Sequence, residues 1–407
     1  VDRRGTEKCP SRWDDAALST IHSTYYRYYQ NFVLFCSYRK RAGVKFRCER
    51  DPLVEALNAA SRAVTTRGSS LPVLSGLRLE LHGDQLQVTG SDLDHTISVR
   101  AAVSGDGDGT SVVPAKLLSD IVRALPPGAV TVEIDDDEAR IGSGRSQFAV
   151  RTIPAHEYPQ LPEPAESSVS LDAAAFADAL RQVVSAASND ESRPILTGVL
   201  MAAEGDGLRL VATDSYRLAV RDLPGTSVLA EGQAVLVPST ALKELSRLLS
   251  AAESVTLRLG ERDVAFEVGD VRVTSRLIEG DFPNYRGLIP NAHPNRLSVG
   301  REPLLEALRR VRLLAREATP VRLVLKPDSV ELIAITQDVG QAQEELDAKH
   351  DGEELTVAFN PEYLIAGIDV TTGDEITLET IDALKPALIR SAETPDFLYL
   401  LMPVRVS

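Results

Sequence analysis

The side chains that could do chemistry are present in this 407-residue chain, but their spacing assembles no active site. His22, His82, His95, His156, His293 and His350 stand apart, with neither the HxH nor the HExxH spacing that puts two imidazoles on one metal. No GxxxxGKS/T loop offers backbone N–H groups to a phosphate, and no GxSxG turn presents a serine nucleophile. Gly105-Asp106-Gly107-Asp108-Gly109 has the composition of a calcium loop, lacks the closing glutamate of an EF-hand, and reads as a plain hairpin loop. Asp135-Asp136-Asp137-Glu138 lies between two strands, Val130 to Ile134 and Ala139 to Ile141, and reads as a solvated turn. Thr213-Asp214-Ser215 has hydroxyls and a carboxylate together, but no histidine is near it, and the matching stretch earlier in the chain is Ser91-Asp92-Leu93. No catalytic residue, metal or cofactor is expected. The chemistry to look for is binding.

The elements that must position a binding site repeat three times. Leu71-Pro72-Val73-Leu74-Ser75-Gly76-Leu77 matches Arg193-Pro194-Ile195-Leu196-Thr197-Gly198-Val199, with a fainter copy at Thr319-Pro320-Val321-Arg322-Leu323. Pro114, Pro238 and Pro361 each precede a helical pattern, and Glu157-Tyr158-Pro159 is echoed by Asp281-Phe282-Pro283. Independent markers at one spacing of about 120 residues mean a triplicated unit. Each unit opens with a strand and an amphipathic helix, at Asp51 to Val64, Leu171 to Ala186 and Arg301 to Ala315. A second helix starts at each marker proline, which suits the first turn because its missing N–H would go unpaired there. In the first unit Leu117, Leu118, Ile121, Val122 and Leu125 form its buried stripe. Alternating strands such as Leu77 to Leu81 fill the rest. The fold class is α+β: three tandem copies of a two-helix plus antiparallel-sheet unit, spanning 44–164, 165–292 and 293–407. Two helices cover one face of such a sheet and leave the other to water or a neighbour.

Residues 1–43 do not share this pattern. They hold the only Trp, five of ten Tyr, and two of three Cys. Eight basic and four acidic side chains give them +4, so the rest of the chain carries −19. Three readings stand: a basic aromatic arm that stacks on single-stranded nucleic acid, an unstructured tail, or a translation start set too early, with Val44 the true initiator. Elsewhere composition is ordinary, at 43% hydrophobic and 25% charged. Three cysteines without CxxC spacing argue against a disulfide framework or zinc site. No apolar run is long enough for a membrane span and no secretory signal is visible, so a cytoplasmic protein is expected. The net charge of −15 excludes a protein that coats nucleic acid with its whole surface, but not one with a local basic face.

Three short pieces carry a resemblance. They are Ala212-Thr213-Asp214-Ser215-Tyr216-Arg217-Leu218-Ala219-Val220, Phe282-Pro283-Asn284-Tyr285, and the tail Tyr399-Leu400-Leu401-Met402-Pro403-Val404-Arg405. Together with the repeat, they resemble the bacterial DNA sliding clamp, the beta subunit of DNA polymerase III, over Val44 to Ser407. The resemblance implies a DNA clamp fold in which two chains close head to tail into a six-unit ring, with helices lining the hole. Twelve helices at about 10 Å spacing make a circle about 38 Å across, and removing one helix width leaves roughly 26–28 Å, room for duplex DNA and a water layer.

It also implies two sites. Arg62, Arg67, Lys116, Arg123, Arg181, Arg193, Lys243, Arg247, Arg309, Arg310 and Arg316, on or beside the helices, are candidates to meet DNA phosphates without reading sequence. Leu196, Thr213, Ser215, Tyr216, Arg217, Leu218, Pro283, Leu288, Leu400, Leu401, Met402, Pro403, Val404 and Arg405 would line a groove for short client peptides with Leu and Phe anchors. Ser215-Tyr216 departs from the Gly-His pair of well-known members, and Gly287 stands where some carry Arg. The implied partners are duplex DNA, the polymerase III catalytic subunit, the clamp loader, other clamp-binding-motif proteins and a second copy of the chain. The implied role is a replication processivity factor without catalysis of its own. A specialised clamp paralogue and a non-encircling peptide-binding scaffold remain as alternatives.

Overall fold

A computed structural model describes residues 43–64, 71–135, 137–290, 292–315 and 319–405. The readings made of residues 1–42, and of Arg67 and Arg316, fall outside the described residues.

The first unit contains β1 (Val44–Glu49), α1 (Arg50–Ser61), β2 (Gly76–His82), β3 (Gln85–Ser91), β4 (His95–Ala102), β5 (Ser104–Gly107), β6 (Gly109–Pro114), α2 (Ala115–Ala124), β7 (Ala129–Ile134), β8 (Glu138–Ser143) and β9 (Ser146–Arg151). The second contains β10 (Val169–Asp172), α3 (Ala173–Val183), β11 (Gly198–Glu204), β12 (Gly207–Thr213), β13 (Arg217–Leu223), β14 (Ala234–Pro238), α4 (Ser239–Leu249), β15 (Ser254–Leu259), β16 (Asp263–Val268) and β17 (Val271–Arg276). The third contains β18 (Asn295–Gly300), α5 (Arg301–Val311), β19 (Val321–Lys326), β20 (Ser329–Thr336), β21 (Gly340–Asp351), β22 (Leu355–Phe359), α6 (Pro361–Val370), β23 (Glu375–Thr380), β24 (Ala387–Arg390) and β25 (Phe397–Leu401).

Helical spacing sets the buried faces. In α1 the buried residues are Leu53, Ala56, Leu57 and Ala60, and α5 buries Leu304, Leu305, Leu308 and Val311, one apolar stripe each. The strands alternate as expected: Leu77, Leu79 and Leu81 of β2 are all at most 1% exposed. Within each unit the two helices pack side by side.

Local structure corrects four expectations. Pro114 and Pro238 are N-caps rather than first-turn residues; only Pro361 sits inside its helix, behind the Asn360 cap. Leu117 is 48% exposed and does not belong to the buried stripe of α2, which consists of Ala115, Leu118, Ser119 and Val122. Ile121 is only partly buried and packs against the core from its margin. Gly105 to Gly107 is not a hairpin loop: it lies in β5, paired with β1 at Phe46↔Gly105.

The sheets do not stop at unit boundaries. β17 of the second unit pairs with β4 of the first, from Val271↔Val99 to Ser275↔His95. β25 of the third pairs with β13 of the second, from Arg217↔Leu401 to Arg221↔Phe397. In both cases the last strand of one unit lies on the strand that follows the second hairpin turn of the unit before it. Backbone ladders therefore tie the units together, and one apolar core runs through the second and third units. Among the described residues, no helix is long and apolar enough to cross a membrane.

Candidate functional site

The hairpin joining β12 to β13 is held by its own side chains. Thr213 Oγ1 donates to the Arg217 carbonyl (2.6 Å) and accepts from Ser215 N (3.2 Å). Asp214 Oδ1 accepts from Tyr216 N (2.9 Å) and Arg217 N (3.0 Å), while its Oδ2 accepts from Arg217 Nε (2.9 Å). Ser215 adopts φ 82°, where an L side chain is strained. Leu93 (φ 80°) and Asp338 (φ 63°) are the other two non-glycine residues with positive φ among the described residues, and each occupies the equivalent hairpin of its unit. The tight turn is thus a property of the repeat, and in the second unit it projects Tyr216 into solvent, 59% exposed.

The third unit meets this hairpin. Arg217, with its side chain 12% exposed, lies 4.5 Å from the Tyr363 ring centre, and Tyr216 stacks on the same ring at 6.4 Å and 24°. Arg217 Nη1 donates to Tyr399 Oη (3.4 Å), which donates to the Tyr363 carbonyl (3.1 Å). Burial alone would lower the Arg217 pKa, but Tyr399 and Asp214 beside it outweigh that and hold it above the ordinary value. Burial pushes the Tyr399 phenol up to about 12. Gly367 in α6 makes room for this ring: a Cβ there would lie 2.5 Å from it. The tail then crosses the hairpin, with Met402 N donating to the Tyr216 carbonyl (2.9 Å) and Val404 N to the Ala358 carbonyl (2.8 Å).

Under the hairpin and tail lies a small apolar cluster of Val211, Leu218, Val220, Tyr285, Leu388 and Leu400, separate from the main core. Leu196 is buried in a 3-10 turn at Pro194–Thr197. Leu288, Met402 and Val404 are exposed apolar side chains, and Pro283 and Arg405 are also exposed, with Pro403 half-buried. Arg286 joins Glu204 (2.6 Å), which also pairs with Arg209 (3.0 Å), fixing the segment that carries Leu288. Together they make an apolar floor with an aromatic and cationic wall, suited to an extended peptide bearing apolar anchors. A cavity of 330 Å³ adjoins this floor through Leu200 and Phe282.

Two expected residues are placed differently. Leu401 is 0% exposed and belongs to the main core: side chains alternate along β25, so Leu400 faces the small cluster and Leu401 faces away. Arg193 is not on a helix face; it bonds Asp190 (2.9 Å) and Ser215 Oγ (3.3 Å), beside the groove. Tyr363, in contrast, is not among the residues that the sequence pattern singles out. The available signal was an aromatic in the first turn of an otherwise aliphatic helix.

The other basic candidates among the described residues lie on the helices, with Arg62 at the C-terminal cap of α1. Arg62 pairs with Glu244 (3.5 Å), joining α1 to α4 of the next unit. Arg123 pairs with Asp120 (3.3 Å), Arg181 with Asp178 (2.7 Å), Arg247 with Glu244, and Arg309 with Asp369 (3.1 Å). Arg310 is clasped by both oxygens of Glu344 in β21, at 2.8 and 2.7 Å. Lys116 and Lys243 are exposed, and neither has an ion-pair partner among the described residues. Exposed pairs of this kind are worth little and leave the cation free to exchange partners.

Three family models match the chain in order: the N-terminal domain of the DNA polymerase III beta subunit over residues 44–162, its central domain over 170–284, and its C-terminal domain over 286–405. The beta sliding clamp of Streptomyces coelicolor is 36% identical over 383 residues, covering 89% of this chain and all of that protein. The beta sliding clamp of Bacillus subtilis is 33% identical over 377 residues, with 89% and 100% covered. The crystal structure of the Bacillus subtilis sliding clamp superposes with a TM-score of 0.85 at 32% identity, over 90% of this chain and 100% of that one. A Pseudomonas aeruginosa sliding clamp bound to griselimycin gives 0.84 at 29% identity, over 89% and 100%. The chain belongs to the DNA polymerase III beta subunit family, the bacterial DNA sliding clamps.

Proposed function

We propose that two copies of this chain close into a ring around duplex DNA and hold the replicative polymerase there through the groove beneath Tyr216 and Met402. The ring supplies topology and the polymerase supplies nucleotidyl transfer. The residues assigned to the groove and to the DNA-facing helices are part of this reading. So are the clamp loader and other motif-bearing clients as partners, the cytoplasm as location, and unit limits at 44–164, 165–292 and 293–407.

The observation that carries ring closure is the repeated junction. β17 lies on β4 and β25 lies on β13, so among the described residues the rule leaves one last strand, β9, and one receiving strand, β21, without their junction partner. β21 pairs with β18 only from Ala348 to Asp351, so its first half keeps a free edge. Transferring the register of the two internal junctions pairs Ser146–Val150 of one copy with Gly340–Glu344 of the other.

The exposed apolar side chains support the same closure. Phe148 is in β9, and Leu117 is on α2, which packs beside β9. Leu313, Ile335 and Val339 lie at or beside β20 and β21. Long unpaired edges flanked by exposed apolar groups are otherwise aggregation hazards. Lys116, Lys243 and the loosely paired arginines of the helices supply exchangeable phosphate contacts, which permit sliding.

Sedimentation of the full chain tests the closure. A mass of two chains is expected, and a single-chain mass that persists at high concentration would favour a non-encircling scaffold.

A further inference from the structure

The groove has a feature that its apolar floor does not account for. Tyr216 and Tyr363 stack, and Arg217 lies over the Tyr363 ring, so three side chains from two units form one π assembly. The assembly is anchored on one side only. Arg217 is tied to Asp214 and Tyr399, whereas no hydrogen bond of the Tyr216 side chain is present among the described residues, and 59% of the residue is exposed. Its backbone is fixed at both ends, by Asp214 at its N–H and by Met402 at its carbonyl. A ring held this firmly by its backbone, yet left open, is a surface for another ring.

We infer that Tyr216 is a specificity determinant that selects client peptides carrying an aromatic side chain next to their apolar anchors, by adding that ring to the Tyr216–Tyr363 stack. The inference rests on the groove being the client site. An aromatic ring suits the position better than a cation, because Arg193 and Arg217 already border it and a further positive group would meet them. An aliphatic group would gain area but not the stacking geometry.

Calorimetry on the full chain tests this with three peptides: Gln-Leu-Ala-Leu-Phe flanked by alanine on both sides, and the same core with phenylalanine on its N-terminal or C-terminal flank. With the parent protein, one phenylalanine-flanked peptide is expected to bind roughly two- to ten-fold tighter than the alanine-flanked one. Tyr216→Ala should bring that ratio close to one, and Tyr216→Phe should keep it, which loss of fold would not do. Equal binding of all three peptides to the parent, or a ratio that survives Tyr216→Ala, would overturn the inference. No binding of the alanine-flanked core to a folded parent would instead overturn the groove assignment, and the inference with it.

Discussion

Arg217 of β13 and Tyr363 of α6 belong to different units, yet the guanidinium lies 4.5 Å from the centre of the ring. This contact joins the hairpin to the helix that walls the groove. It depends on Asp214, which is 7% exposed and neutralises the largely buried cation while bonding two backbone N–H groups of the turn. Replacing Asp214 by Ala should therefore cost about 3–5 kcal/mol, the range for stranding one member of a buried ion pair. Chemical denaturation would measure it. A loss below 1 kcal/mol would mean that the pair is not what holds the turn.

Met402 and Leu401 are neighbours with opposite roles. Met402 is 37% exposed at the groove and Leu401 is fully buried in the core. Met402→Ala should leave the melting temperature nearly unchanged and weaken a Gln-Leu-x-Leu-Phe peptide by roughly tenfold, about 1.4 kcal/mol. Leu401→Ala should destabilise the chain by about 2–5 kcal/mol. Paired melting and peptide-binding curves separate the two effects. The reverse pattern would place the groove on the other face of β25.

His293 and His350 give the third unit a pH dependence. Burial lowers the pKa of both below the ordinary histidine value of 6.5, against the opposing pull of Glu379 on one and Asp351 on the other; Arg390 lowers the first further. Both folded values are depressed, so the stability they contribute is complete above that ordinary value and is lost as pH falls toward the folded values. Melting temperature should drop between pH 7.5 and 5.5, before most carboxylates titrate. His350→Phe, which removes two ring nitrogens without hydrogen-bond partners among the described residues, should flatten the drop. An unchanged slope would assign it to other groups.

Ring closure rests on few exposed side chains. Phe148→Glu puts a charge at a position 42% exposed in one chain, so folding should be spared while the two-chain mass falls to one. Leu384→Glu, 59% exposed on the loop between β23 and β24 and in neither open strand, should leave the mass unchanged. Sedimentation of both variants provides the check. A Phe148→Glu protein that remains a dimer would place the interface elsewhere.

The triplication, the helices and the strand pattern were legible because each marker proline and apolar stripe acts locally. The continuous sheets were not, since the pairing of Val271 with Val99 joins residues far apart in sequence. Leu117 reads as core because an exposed apolar residue has the same composition signal as a buried one. Leu401 was misplaced because resemblance names a stretch, while strand alternation assigns each residue of it to one face. Tyr363 was missed because its partner Arg217 lies in another unit, and the contact of Arg193 with Ser215 was not legible because proximity to a helix does not say which way a side chain turns.

The most direct measurement is retention on DNA. The chain would be assembled by a loader onto nicked circular DNA, washed at high salt, and assayed before and after the circle is cut. Encirclement predicts stable retention on the circle and rapid loss from the linear ends. Equal retention on both forms, or none on either at full assembly, would contradict the ring.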